Sequence, residues 1–336
     1  MISSSTLDFV KDRIKHLKIA VIGDVMLDRY FFGEVTRISP EAPVPVNKIK
    51  KITSVLGGAG NVAANLSLLG SQVYLGGVTG QDTNRRILEE RLQAVHIHYE
   101  GLFTSDFRET ITKLRIIALR QQMLRLDFEK ICSLTDDEFG RIDTWLHIIA
   151  RNGLDGIIIS DYAKGICSRE LCQHIIKFAN ERSIPVLVDP KGKDWSKYTG
   201  CSFITPNLKE ISDVCGQTVF NEDTKVVEAA RDVAEKFNVD NVIVTRSEKG
   251  LTLVNGDEVI HKAAVAQDVY DVSGAGDTAA ATLLAAIAGG LSKEDALVLA
   301  NMAAGVVVSK VGTYPIHREE LLMQINKTEN NKKSSE

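Results

Sequence analysis

The chain lacks the cysteine and histidine spacing that structural metals and disulfides need. Its five cysteines (Cys132, Cys167, Cys172, Cys201, Cys215) and seven histidines form no CxxC or HxxxH pair. That argues against a structural zinc site or a disulfide framework, and isolated thiols suit a reducing cytoplasm. Long apolar runs are missing as well. The most apolar stretch, 279–289, is far shorter than a bilayer crossing, and 1–18 has no apolar centre of a secretion signal. Neither sign of charge dominates: 40 Lys and Arg against 44 Asp and Glu leave −4, which is no footprint for nucleic acid. Proline is scarce, and three of the seven (Pro40, Pro43, Pro45) crowd one segment. What remains, at 336 residues with 44 % hydrophobic side chains, is a soluble globular protein with one large core.

Short apolar runs recur at 19–22, 73–75, 157–159, 186–188, 203–204 and 242–244, each closed by a small or polar residue. Runs without alternation suit strands buried on both faces of a parallel sheet. Helical patterns lie between them at 61–69, 83–93, 136–150, 169–182 and 225–237. This rhythm predicts an α/β fold with a doubly wound, mostly parallel sheet, whose ligands bind at the carboxyl ends of the strands. Two segments, about 30–52 and 108–128, break the rhythm and read as extended chain forming a small antiparallel β-sheet lid. The expected organisation is one domain over 1–325 and a disordered polar tail over 326–336.

The strongest motif is Asp271-Val-Ser-Gly-Ala-Gly-Asp277, followed by an Ala- and Leu-rich run to Ala288. A glycine-rich turn opening a buried helix offers unpaired amides and the positive dipole end to an anion. Gly274, Ala275 and Gly276 would hold a transferring phosphoryl group. Asp277, in the first turn, would accept a hydroxyl proton as the acceptor attacks.

Together with Gly23-Asp24-Val-Met-Leu-Asp28, Gly57-Gly58-Ala-Gly-Asn61 and Thr205-Pro-Asn207-Leu208-Lys209-Glu210, this motif makes the sequence resemble the ribokinase-like (PfkB-type) carbohydrate kinases, over residues 18–315. The resemblance implies ATP and Mg²⁺. Asp28, Gly57, Gly58 and Asn61 would bind the sugar, and Asn207, Leu208, Lys209 and Glu210 would lie near the phosphates, with Glu210 reaching Mg²⁺ through water. Asn207 and Glu210 also suit a helix cap, and both readings hold together. Lys191, Ser247, Gly250 and Asn301 would border the nucleotide. Asp271 and Ser273 are candidates either for a monovalent cation such as K⁺ or for a turn-closing hydrogen bond.

Further runs, among them Arg37-Ile-Ser-Pro-Glu-Ala-Pro-Val-Pro, Ser160-Asp-Tyr-Ala-Lys-Gly and Thr245-Arg-Ser-Glu-Lys-Gly250, are similar to the subgroup acting on D-glycero-β-D-manno-heptose 7-phosphate. That similarity implies phosphorylation of the anomeric hydroxyl, for ADP-heptose and lipopolysaccharide-core precursors, by a cytoplasmic homodimer joined through the lid. With no HxGH element, only the kinase step is expected. A phosphorylated substrate needs a cationic grip, for which Lys113, Arg115, Arg120, Arg125 and Lys164 are candidates, Arg120 and Lys164 first. Two positions depart from the family pattern: Gly60 stands where relatives carry alanine, and Ser247 where the broader family carries glycine. A kinase for another sugar, and a non-catalytic nucleotide- or sugar-binding regulator, are the alternative functions.

Overall fold

In the computed structural model, residues 3–119, 121–265 and 268–333 are described. In chain order the strands are β1 (Lys18–Gly23), β2 (Val25–Ile38), β3 (Pro45–Gly58), β4 (Gln72–Thr79), β5 (His98–Thr104), β6 (Thr112–Ala118), β7 (Gln121–Phe128), β8 (Gly156–Ser160), β9 (Val186–Asp189), β10 (Phe203–Ile204), β11 (Asn241–Thr245), β12 (Leu251–Asn255) and β13 (Glu258–Lys262). The helices are α1 (Ser4–Lys11), α2 (Ala59–Leu69), α3 (Thr83–Ala94), α4 (Asp136–Ala150), α5 (Arg169–Asn180), α6 (Leu208–Cys215), α7 (Asp223–Phe237), α8 (Ala275–Ala288), α9 (Lys293–Val307) and α10 (Arg318–Lys333).

Nine strands form the main sheet in the order β13-β12-β11-β10-β9-β8-β1-β4-β5. From β11 to β5 every pairing is parallel. Strand β1 shows why its sequence does not alternate. Ile19 and Val21 join the apolar cluster built with α1, α2, α3, α8, α9 and α10, while Ala20 and Ile22 join the one built with α4, α5, α6 and α7. Both faces are buried, so both residue parities are apolar. The parallel strands end at one edge, and there the chain places Asp24, Asp161, Asp189, Asn207 and Thr245. Among the described residues no helix is long and apolar enough to cross a membrane.

The four lid strands pair in the order β3-β2-β6-β7. The lid is mixed rather than antiparallel, because β2 and β6 are parallel. Strands β2 and β6 follow β1 and β5, and both leave the main sheet at its carboxyl edge, so they run the same way. The lid strands also reach deeper than 30–52, since Val25–Asp28 and Leu56–Gly58 are already paired within the core. Two further differences appear at the ends of the fold. Strands β12 and β13 add an antiparallel hairpin around Gly256 (φ 55°). Helix α10, which buries Leu321 and Ile325, continues into the segment expected to be a disordered tail.

Candidate active site

Asp277 lies in the first turn of α8, behind Gly274 at φ 81°. It is 5 % exposed, and a donor holds each of its oxygens. The Asn61 amide nitrogen donates to Oδ2 at 2.7 Å, and the Tyr162 hydroxyl donates to Oδ1 at 2.6 Å. Burial pushes this carboxyl up to about 6, with Asp28 adding to the rise, while Asn61, Tyr162 and Lys113 oppose it. At neutral pH Asp277 is therefore an ionised carboxylate of unusually high basicity, which is what a general base requires. The amides of Gly276 and Asp277 sit in a turn with no intrahelical acceptors, so they remain available to an anion. A Cβ on Gly274 would lie 2.9 Å from the Asn61 amide nitrogen, whereas one on Gly276 would meet nothing within 4 Å.

Beside this turn opens a cleft of about 170 Å³ lined by Asp161, Asp189, Lys191, Asn207, Glu210, Thr245, Gly274 and Gly276, among others. Asn207 and Glu210 form a reciprocal cap on α6, with Glu210 N donating to Asn207 Oδ1 at 2.9 Å and Asn207 N to Glu210 Oε2 at 3.0 Å. The remaining oxygen, Oε1, accepts from Lys191 Nζ at 2.7 Å. Capping and cleft-facing roles thus coexist in one side chain. Burial, then the charges of Asp277 and Glu210, push Asp189 well above the usual carboxylate range. Asp161, Asp189 and Glu210 line this cleft, and oxygen ligands are the kind a hard divalent cation such as Mg²⁺ takes, much of its shell remaining water. Leu208 and Lys209 do not line the cleft. They follow Asn207 on the helix, and Lys209 turns outward to Asp213 at 2.6 Å.

On the lid side Asp28 accepts from Arg115 at 2.8 Å and from the Thr313 hydroxyl at 3.3 Å. Gly57 permits this, since a Cβ there would lie 2.7 Å from Asp28 Oδ2, and one on Gly58 would lie 2.5 Å from Asp24 O. Asn61, expected to meet the sugar, is fully buried, and its amide nitrogen donates to Asp277. Lys164, expected to grip a phosphate, is paired with Glu129 at 2.7 Å. Arg125 is paired with Asp127. Arg120 lies outside the described residues. Lys113 has no ion-pair partner among the described residues, and burial, then the charges of Arg115 and Lys164, lower its ammonium despite Asp28.

Strand alternation explains this cluster: Asp28, Tyr30, Lys51, Thr53, Lys113 and Arg115 fall on one face of the lid, Phe31, Ile52, Ile116 and Leu124 on the other. The charged face lines a second cavity, of about 470 Å³, with Tyr30, Lys51, Arg115, Asp271, Ser273 and Thr313 in its walls.

The remaining candidates serve the backbone. Asp271 accepts from the amides of Ser273 and Gly312, both at 2.9 Å, so the turn-closing reading of Asp271 and Ser273 is realised. Asn301 donates to Ala263 O at 2.5 Å and ties α9 to the chain leaving β13. Ser247 adopts φ 51°, a left-handed conformation that explains glycine at that position in the broader family. At Gly250 a Cβ would lie 2.1 Å from Lys262 O. Neither Ser247 nor Gly250 reaches the cleft, which stops at Thr245. Sequence reasoning missed Tyr162 as a partner of Asp277. The signal was its place directly beyond β8, at the edge that also carries Asp24 and Asn207.

Comparison with known proteins agrees with this geometry. The model for the pfkB family carbohydrate kinase matches residues 16–319. The chain is 45 % identical over 323 residues to the bifunctional protein HldE of Methylobacillus flagellatus, covering 96 % of this chain and 66 % of that one. To the bifunctional protein HldE of Vibrio parahaemolyticus it is 44 % identical, covering 90 % and 62 %. The chain thus spans somewhat less than two thirds of the length of the curated relatives it matches. Among solved structures, Arabidopsis thaliana ribokinase with ribose and ATP superposes with a TM-score of 0.72 at 21 % identity, covering 92 % of this chain and 98 % of that one. Escherichia coli phosphofructokinase-2 with substrates and products gives 0.74 at 18 %, covering 91 % and 97 %. These two likenesses establish a ribokinase-like fold.

Proposed function

The chain belongs to the pfkB family of carbohydrate kinases, and we propose that its acceptor is D-glycero-β-D-manno-heptose 7-phosphate. On this reading the γ-phosphoryl group of ATP passes to the anomeric hydroxyl, giving the 1,7-bisphosphate for ADP-heptose and lipopolysaccharide-core synthesis in the cytoplasm. The observation that carries a phosphorylated acceptor is the half-buried Lys113, without an ion-pair partner among the described residues and next to Arg115 on the charged lid face. A half-buried ammonium with no ion-pair partner of its own among the described residues is stabilised by an incoming phosphate. The heptose itself rests on the subgroup runs in the sequence and on the 45 % identity to a bifunctional protein HldE.

Asp277 takes the proton from the attacking hydroxyl, and the amides of Gly276 and Asp277 stabilise the transferring group without reorganising, while the Ala275 amide is already given to Val272 O at 3.2 Å. Asp28 accepts from sugar hydroxyls, held in place by Arg115. Lys191 is poised to exchange Glu210 for nucleotide phosphate oxygens. Glu210 would hold Mg²⁺ through water and Asp271 and Ser273 a K⁺ ion, and these ions would supply charge neutralisation on the ATP oxygens and at the anion site. Lid closure excludes water, which limits ATP hydrolysis. The apolar outer face of the lid, including Ile52 and Leu124, supports a homodimer formed there.

The test is ADP release from Mg-ATP with heptose 7-phosphate, fructose 6-phosphate, ribose or no sugar. Release with heptose 7-phosphate alone is expected. Release with fructose 6-phosphate or ribose instead would keep the kinase and discard the heptose, and none from folded protein would turn the reading toward a nucleotide- or sugar-binding regulator.

A further inference from the structure

Two side chains donate to Asp277, and one of them sits on a loop built to hold it still. Tyr162 opens the turn after β8. Asp24, fully buried, accepts the amides of Tyr162 at 2.8 Å, Lys164 at 3.0 Å and Ile166 at 3.2 Å. Asp161 closes the turn from the other side: it accepts the Ala163 amide at 2.6 Å and is held by Lys197 and by the Tyr198 hydroxyl at 2.6 Å. Between these anchors Ala163 adopts φ 56°. A non-glycine residue keeps that conformation only where its surroundings over-determine it. The anchors leave the Tyr162 hydroxyl aimed at Asp277 Oδ1, with Lys113 Nζ 5.5 Å from the ring centroid.

We propose that Tyr162 is a positioning residue for the catalytic base, aiming the Asp277 carboxylate and keeping it ionised at neutral pH. The proposal rests on the reading of Asp277 as that base. Around Asp277 the charges come from every side: Asp28 on β2, Lys113 on β6, Asp161 and Tyr162 beyond β8, and Asp189 at the end of β9, itself facing Glu210 and Lys191. Burial and Asp28 favour the protonated acid, while Asn61, Tyr162 and Lys113 favour the carboxylate. Burial, then Asp277 and Asp189, hold the Tyr162 phenol well above its ordinary value, so it stays a neutral donor. With that donor removed, the remaining balance shifts toward the protonated acid, which accepts no proton from a sugar.

The experiment compares kcat/KM against pH for the wild type, Tyr162→Phe and a chain carrying 3-fluorotyrosine at position 162, using whichever acceptor supports turnover. Tyr162→Phe keeps the ring under Lys113 and should move the acid limb up by about one pH unit, the effect of one lost hydrogen bond to a carboxylate. Fluorination strengthens the donor without changing the fold and should move the limb down. ATP binding, measured by calorimetry, should be unchanged in both. Acid limbs that superimpose on the wild type, with any loss of activity uniform across pH, would overturn the proposal. If Tyr162→Phe does not fold, the fluorotyrosine chain decides alone. Turnover near wild type in Asp277→Asn would instead sink the base assignment, which separates the two failures.

Discussion

Asp277 shows how a single side chain acquires chemistry from its position. In water an aspartate is too weak a base to relieve a sugar hydroxyl of its proton at neutral pH. Withdrawn from water beside Asp28, it is pushed up to about 6. The sign of the pH dependence follows: as the proposed base, Asp277 works only when deprotonated, so kcat/KM should fall as the pH drops through about 6 and level off above it. A pH–rate profile with the preferred acceptor checks this. Asp277→Asn removes the base while keeping the shape of the turn. It should lower kcat by about 10²- to 10⁴-fold with ATP affinity retained, read by steady-state kinetics and calorimetry. The residue type and its motif were legible in the sequence. Its partners were not, because Asn61 and Tyr162 lie 216 and 115 positions away along the chain.

At the scale of elements, two substitutions separate stability from specificity. Gly60 is the second residue of α2, and a Cβ there would meet Leu56 Cβ at 3.4 Å, an ordinary contact. Gly60→Ala should therefore stabilise the protein by about 0.5 kcal/mol with activity unchanged, because alanine loses less backbone entropy in a helix. Thermal unfolding paired with the ADP-release assay reads both. Lys113, on β6, belongs to the charged face of the lid. Lys113→Met should raise KM for a phosphorylated acceptor about 10- to 100-fold and leave KM for ATP near wild type, the loss of one charge-assisted hydrogen bond to a phosphate. Equal KM for phosphorylated and unphosphorylated acceptors in wild type and variant alike would remove Lys113 from the phosphate site. The parallel strands and their helices were readable from apolar runs and helical periodicity. The β12–β13 hairpin was missed although Asn255-Gly256 is a strong turn signal, because its antiparallel return departs from the strand–helix rhythm of the rest.

For the whole molecule, the two faces of the lid differ in character. One face carries Lys51, Lys113 and Arg115 toward the site; the other exposes Ile52 (52 %), Leu124 (50 %), Phe128 (46 %) and Leu126 (38 %). An apolar sheet face of this kind is covered by a second copy in the proposed homodimer, and Leu124→Glu should convert dimers to monomers in analytical ultracentrifugation. An unchanged sedimentation coefficient would place any dimer contact elsewhere. The sequence by itself determined the class of fold, the polar carboxyl edge of the sheet, and the glycine turn that opens α8 with its aspartate, since each depends on local periodicity, glycine and helix-end chemistry. Only the tertiary structure decided that Asn61 and Tyr162 both donate to Asp277, and that Glu129 pairs with Lys164 while Lys113 has no ion-pair partner among the described residues. These roles depend on which charges and donors are brought together and shut away from water, and pairings between distant segments leave no periodic trace along the chain.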